Sequence, residues 1–191
     1  NYLSSTQIID AGDGSKPETY ASISKIDLST GLLDGSFGDN GSLNLSYGAS
    51  AEAEFEDIRE MTPLSDGSIL VSGFVDSASG TEGGFSKDGY AYDNWFVKMN
   101  PDGSLDTSFG TDGYLLLNNG TGYEFPVSVL QATDGDVWAF SETNQNFLEF
   151  DSGLSKYYAE VNRFDLSGDL VTKVGLATDL DPTTNQVSEA G

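Results

Sequence analysis

The chain has 191 residues and sets 31 Asp and Glu against 8 Lys and Arg, for a formal net charge of −23, with no His and no Cys. Those absences exclude imidazole bases, Ser-His-Asp triads, His-ligated metals, thiol nucleophiles, disulfides and iron-sulfur clusters. The charge excludes the basic patches that polyanions and anionic membranes require, and it favours cations as partners.

In chain order, the first elements are short strands over Ser5-Thr6-Gln7-Ile8-Ile9-Asp10 and over residues 20–27, the second with clear alternation, joined by a loop from Ala11 to Thr19. Strands follow at about 42–47, 55–62, 68–75 and 94–100, then at about 113–118, 125–132, 136–142 and 158–165, with a last one near Asp169–Gly175. The Ala- and Glu-rich stretch Ser50 to Arg59 is expected to be an acidic loop entering a strand, with a single helical turn as the alternative. Seven Asp residues, at positions 13, 34, 66, 88, 102, 112 and 134, stand directly before Gly. This pairing belongs to turns, because Gly accepts a positive φ and Asp bonds the backbone two residues on. Much of the acid therefore belongs to ordered turns and not to a disordered tail.

The elements repeat. Leu33-Asp34-Gly35-Ser36-Phe37-Gly38-Asp39-Asn40-Gly41 matches Leu105-Asp106-Thr107-Ser108-Phe109-Gly110-Thr111-Asp112-Gly113, and Ser65-Asp66-Gly67-Ser68-Ile69-Leu70-Val71 matches Thr133-Asp134-Gly135-Asp136-Val137-Trp138-Ala139. A strand ending in a polar turn occurs three times, at Ser24–Gly31, Val97–Gly103 and Asn162–Gly168. Matched elements in one order define four-stranded antiparallel units, partial over about 1–31, complete over 32–103 and 104–168, partial over 169–180, with a polar tail at 181–191. The expected fold is one all-β, propeller-like domain whose terminal strands are shared between units. Phe37 and Phe109 are expected to plug the space between neighbours.

The run Asn100-Pro101-Asp102-Gly103-Ser104-Leu105-Asp106-Thr107-Ser108-Phe109-Gly110, with the strand after it and Gln131 to Val137, resembles the delta-60 repeat, a β-propeller-like unit of bacterial secreted and surface proteins. The first copy departs from that pattern, with Asp34-Gly35-Ser36-Phe37, and the third keeps only strand and turn. More loosely, the aromatic insertions and calcium-friendly acidity resemble the peptide-binding modules of long calcium-dependent RTX adhesins of marine Gram-negative bacteria. That resemblance implies an extracellular adhesion domain. The start of the sequence lacks the basic end and apolar stretch of a signal peptide, so an export signal is expected elsewhere in a longer protein.

Both full units carry an insertion between their third and fourth strands, Ser77 to Asn94 and Asn144 to Tyr157. Per-repeat insertions emerge on one face and often bind. Lys87, Tyr90, Tyr92, Trp95, Phe147, Tyr157 and Tyr158 are the candidate ligand-binding residues there, either lining a concave site or packing beneath the loops. Calcium takes six to eight oxygens from Asp, Asn and backbone carbonyls. Candidate ligands are Asp10 with Asp13, Asp88 with Asp93, Asp134 with Asp136, Asp179 with Asp181, and Asp151, although none forms an EF-hand or an RTX run and halophilic adaptation would give the same charge. A protein or peptide, held in part by a terminal carboxylate, is the expected ligand. Carbohydrate binding, a structural spacer, or a carboxylate-pair glycosidase using Glu149 are the alternatives, and catalysis is not expected.

Overall fold

The computed structural model describes residues 2–9, 18–45, 53–77, 92–117, 123–144 and 157–177. These residues form strands and turns and no helix. The first sheet has three antiparallel strands in the order β1 (Tyr2–Ile9), β2 (Glu18–Lys25) and β3 (Ser42–Leu45). The middle sheet is a meander of β4 (Ala53–Pro63), β5 (Ile69–Ser77), β6 (Tyr92–Met99) and β7 (Tyr114–Leu117). The last sheet repeats that meander with β8 (Tyr123–Gln131), β9 (Val137–Asn144), β10 (Tyr157–Phe164) and β11 (Leu170–Ala177). One parallel pairing, Tyr92 with Tyr123, ties the last two sheets, and the strands do not close into a barrel.

A sheet is not a sequence unit. The first strand of each unit pairs with the fourth strand of the unit before it, as β3 does with β2, β7 with β6 and β11 with β10. This sharing hands the chain from sheet to sheet. Ala53 onward runs in a strand, not a helical turn, because β4 pairs with β5 along its length and cross-strand pairing outweighs the helical preference of Ala and Glu. Two bulges, between Phe55 and Asp57 and between Ile58 and Glu60, absorb the irregular pattern there.

The core lies between sheets. Ala21, Ile23, Phe37 and Leu45 of the first unit boundary pack with Ile69, Val71, Trp95, Val97 and Met99 of the middle sheet. The alternate residues of that sheet, Leu70 and Phe96, pack with Phe109, Val129, Val137, Ala139 and Phe164. The middle sheet is therefore apolar on both faces, which explains its near-continuous hydrophobic strands. Phe37 and Phe109 are both fully buried, one in each inter-sheet layer, as the repeat implied. Each contributes about 2–3 kcal/mol by area burial alone.

Their backbones repeat as faithfully as their sequences. Phe37 N–H donates to Asp34 O at 3.0 Å and Gly41 N–H to Phe37 O at 2.8 Å, while Phe109 N–H donates to Asp106 O at 3.0 Å and Gly113 N–H to Phe109 O at 2.9 Å. Asn40 and Asp112 both take the left-handed conformation, at φ of 53° and 54°. The next turn then clasps each phenylalanine. Gly38 N–H donates to Asp102 O at 2.7 Å and Gly110 N–H to Ser167 O at 2.6 Å. Glycine is required in that turn, since a Cβ on Gly103 would lie 2.6 Å from Gly38 N and 2.9 Å from the Phe37 ring. Gly168 stands in the same relation to Phe109.

Candidate functional site

The two ends of the stacked sheets differ in chemistry. One end carries the Asp turns, and there most of the carboxylates are occupied. Asp27, Asp34, Asp66, Asp102, Asp106 and Asp165 each accept the backbone N–H and the hydroxyl of the Ser two residues on, at N–H distances of 2.8–3.1 Å. Asp-x-Ser thus closes its own turn, and hydrogen bonds to the ionised form hold all six pKa values below the ordinary 3.8. Asp34 falls to about 2 through the Ser36 hydroxyl and amide and Lys25. Burial raises Asp66, but the Ser68 hydroxyl and Lys98 outweigh it and bring it to about 2.

A cation recurs on the fourth strand of each unit. Lys25 pairs with Asp34 at 3.1 Å and donates to Pro101 O at 3.4 Å. Lys98 pairs with Asp106 at 2.9 Å and with Asp66 at 3.0 Å, and donates to Leu166 O at 3.4 Å. Its ammonium stem is nearly enclosed, and although burial lowers its pKa, Asp106 and Asp66 carry it above the ordinary 10.5. Arg163, the third in the series, reaches Asp136 at 2.7 Å and Asp134 at 3.0 Å and lies 5.4 Å from the Trp138 ring centroid. Asp134 and Asp136, expected as calcium ligands, are thus placed as partners of a guanidinium. The sequence marks these three cations only by register, because each meets its carboxylates through folding.

Because these bonds align the turn ends of successive sheets, the strand ends that flank residues 10–17, 78–91 and 145–156 lie together at the opposite end. The registers agree, pairing Ile9 with Glu18, Asp76 with Tyr92, and Asn144 with Tyr157. Tyr92 opens β6, and Tyr157 and Tyr158 open β10, at that end. Trp95 lies in the layer between the first and middle sheets, with no exposed surface, so it is a core residue and cannot touch a ligand at the surface. Asp93 is also buried, opposite Val75 on β5. Asp10, Asp13, Lys87, Asp88, Tyr90, Phe147, Glu149, Asp151, Asp179 and Asp181 lie outside the described residues.

Beneath the loop end runs a buried polar layer that the repeat pattern did not reveal. Asn94 on β6 donates to Ser141 Oγ on β9 at 2.7 Å across the inter-sheet space. Ser141 stands opposite Glu160 on β10, whose Oε1 accepts from Asn162 at 2.6 Å and whose Oε2 pairs with Lys173 at 3.2 Å. Glu124 is buried on the neighbouring β8. The polar residues interrupting β6 and β10, Asp93-Asn94 and Glu160 with Asn162, were the available signal. Among the described residues, no three carboxylates converge as a metal-binding group. Compared with protein-family models, curated proteins and solved structures, the chain finds no match.

Proposed function

We propose that the chain is a propeller-like module of the delta-60 type, acting as a non-catalytic adhesion domain at a bacterial cell surface and holding a protein or peptide at its loop end. The observation that supports it is the segregation of the two ends. Hydrogen bonds and ion pairs engage most carboxylates of the turn end, whereas the three unit-by-unit insertions depart from strand ends gathered at the other. Successive antiparallel meanders, stacked face to face and joined from the last strand of one sheet to the first of the next, support the propeller-like reading. Calcium, bound by carboxylates of the insertions, would supply the positive charge that lets so acidic a chain receive a terminal carboxylate.

Two experiments test this. A calorimetric calcium titration, with melting in calcium, in EDTA and in high NaCl, is expected to show saturable binding and stabilisation specific to calcium; equal stabilisation by NaCl would assign the charge to halophilic adaptation. Screening a peptide library with free and amidated C-termini beside a glycan array is expected to give calcium-dependent capture of free C-termini. Capture of glycans alone would make the site carbohydrate-binding. The burial of Trp95 favours a second reading, a structural spacer, which no capture by either array would support.

A further inference from the structure

We infer that the outer edge of β1 is an acceptor for an added β-strand, and that its partner is an extended segment with the second-strand pattern of this same repeat. β1 holds the place in the first sheet that β5 and β9 hold in the other two, since each is the strand before the fourth strand of its unit. In those sheets a further antiparallel strand covers the edge, β4 on β5 and β8 on β9. Among the described residues nothing pairs with the corresponding edge of β1.

The strands that cover the equivalent edges are guarded, the edge strands β3 and β7 are only four residues long, and β1 has neither safeguard. β4 carries Glu54, Glu56, Asp57, Arg59 and Glu60 with two bulges, and β8 carries Pro126 with a bulge between Pro126 and Ser128. Charges, proline and bulges are the usual means of keeping an edge from pairing. β1 has none of them, although the chain carries a net charge of −23. Tyr2-Leu3-Ser4-Ser5-Thr6-Gln7-Ile8-Ile9 is uncharged, free of proline, and in unbroken register with β2 over eight residues. Its sequence is that of an interior strand. An incoming backbone would therefore meet eight residues of regular edge, with alternate N–H and C=O groups to pair. β4 itself packs against β1 and β2, so one second strand of this repeat already meets the first sheet across its face. The pairing is independent of calcium and of any ligand at the loop end.

The test uses the whole chain and synthetic peptides with the sequences Ala53–Pro63 and Tyr123–Gln131, each beside a scrambled control. Saturable binding of at least one native-sequence peptide, with new hydrogen-exchange protection of alternate β1 amides, is expected. Ser4→Pro and Ser5→Pro locate the contact. Neighbouring residues direct their N–H groups to opposite edges, so one substitution breaks the β1–β2 ladder while the other removes only an outward donor. The second of these is expected to keep the native circular dichroism spectrum and lose binding. Full protection of every β1 amide in the free chain, absence of binding by both peptides, equal binding of scrambled peptides, or binding that survives in both proline variants would overturn the proposal.

Discussion

Lys98 and Arg163 occupy equivalent positions in successive sheets, yet they are satisfied in different ways. Lys98 takes one carboxylate from its own unit, Asp66 in the turn between β4 and β5, and the other from the following unit, Asp106. Arg163 takes both from its own unit, in the turn between β8 and β9, where Asp136 stands in the place of Ser68 of the middle sheet. The inner ion pair is therefore a joint between units, and the outer one closes its own sheet. Two differences between the copies, Ser68 to Asp136 and Asp106 to Val171, separate the connecting interaction from the local one.

Removing apolar contact should separate the two sites most. Phe109→Ala empties the layer beneath Asp106 and is expected to cost about 4 kcal/mol, whereas Trp138→Ala, under Arg163 on the half-exposed outer face, should cost about 1 kcal/mol, both by urea unfolding. Equal losses would mean that the outer face is as enclosed as the joint. Glycine substitution comes next. Gly103→Ala drives a Cβ into Gly38 and Phe37 and should cost about 3 kcal/mol, while Gly135→Ala, also at positive φ but with no atom within 4 Å, should cost about 1 kcal/mol for strain alone.

The charges themselves give smaller effects. Lys98→Met leaves Asp66 and Asp106 facing each other and is expected to cost about 2 kcal/mol, against less than about 1 kcal/mol for Arg163→Met, since the guanidinium is itself more exposed than the enclosed ammonium. Acid unfolding provides the finest distinction. Asp66 and Asp106 are held below their ordinary 3.8, so their stabilisation is complete above that pH and is lost as pH falls through the folded values, about 2 for Asp66. Lys98→Met should raise the acid-unfolding midpoint towards 3.8, and Arg163→Met should leave it nearer that of the unaltered chain. Lys98, held above 10.5, contributes below that pH and loses its contribution only in stronger alkali.

Most strands were legible because their signals are local. The Asp-Gly turns bound strands at one end, and period-two alternation marks strands between them. The match of Leu33–Gly41 to Leu105–Gly113 foretold two superposable turns, and even their left-handed residues coincide. Ser50 to Arg59 was ambiguous because composition there favours a helix, and from Ala53 on pairing with β5 decides for a strand. The candidate site was less legible. Trp95 beside an insertion suggested a ligand platform, but β6 is interior to its sheet and apolar on both faces, which places the indole in the core. Asp134 and Asp136 had the spacing of metal ligands, and nothing near them in sequence announced Arg163.

What the sequence determined by itself is the repeated unit: four short strands, self-closing acidic turns, a buried phenylalanine before glycine, and insertions at one place in each copy. These follow from torsional preference and from contacts within a few residues. The tertiary structure decided how the copies are joined, through shared first strands, Lys98 placed between carboxylates of two units, a polar layer around Asn94 and Glu160, and a β1 edge without a partner among the described residues. Those contacts link residues tens of positions apart, and their energies depend on burial and distance, which exist only once the sheets have stacked.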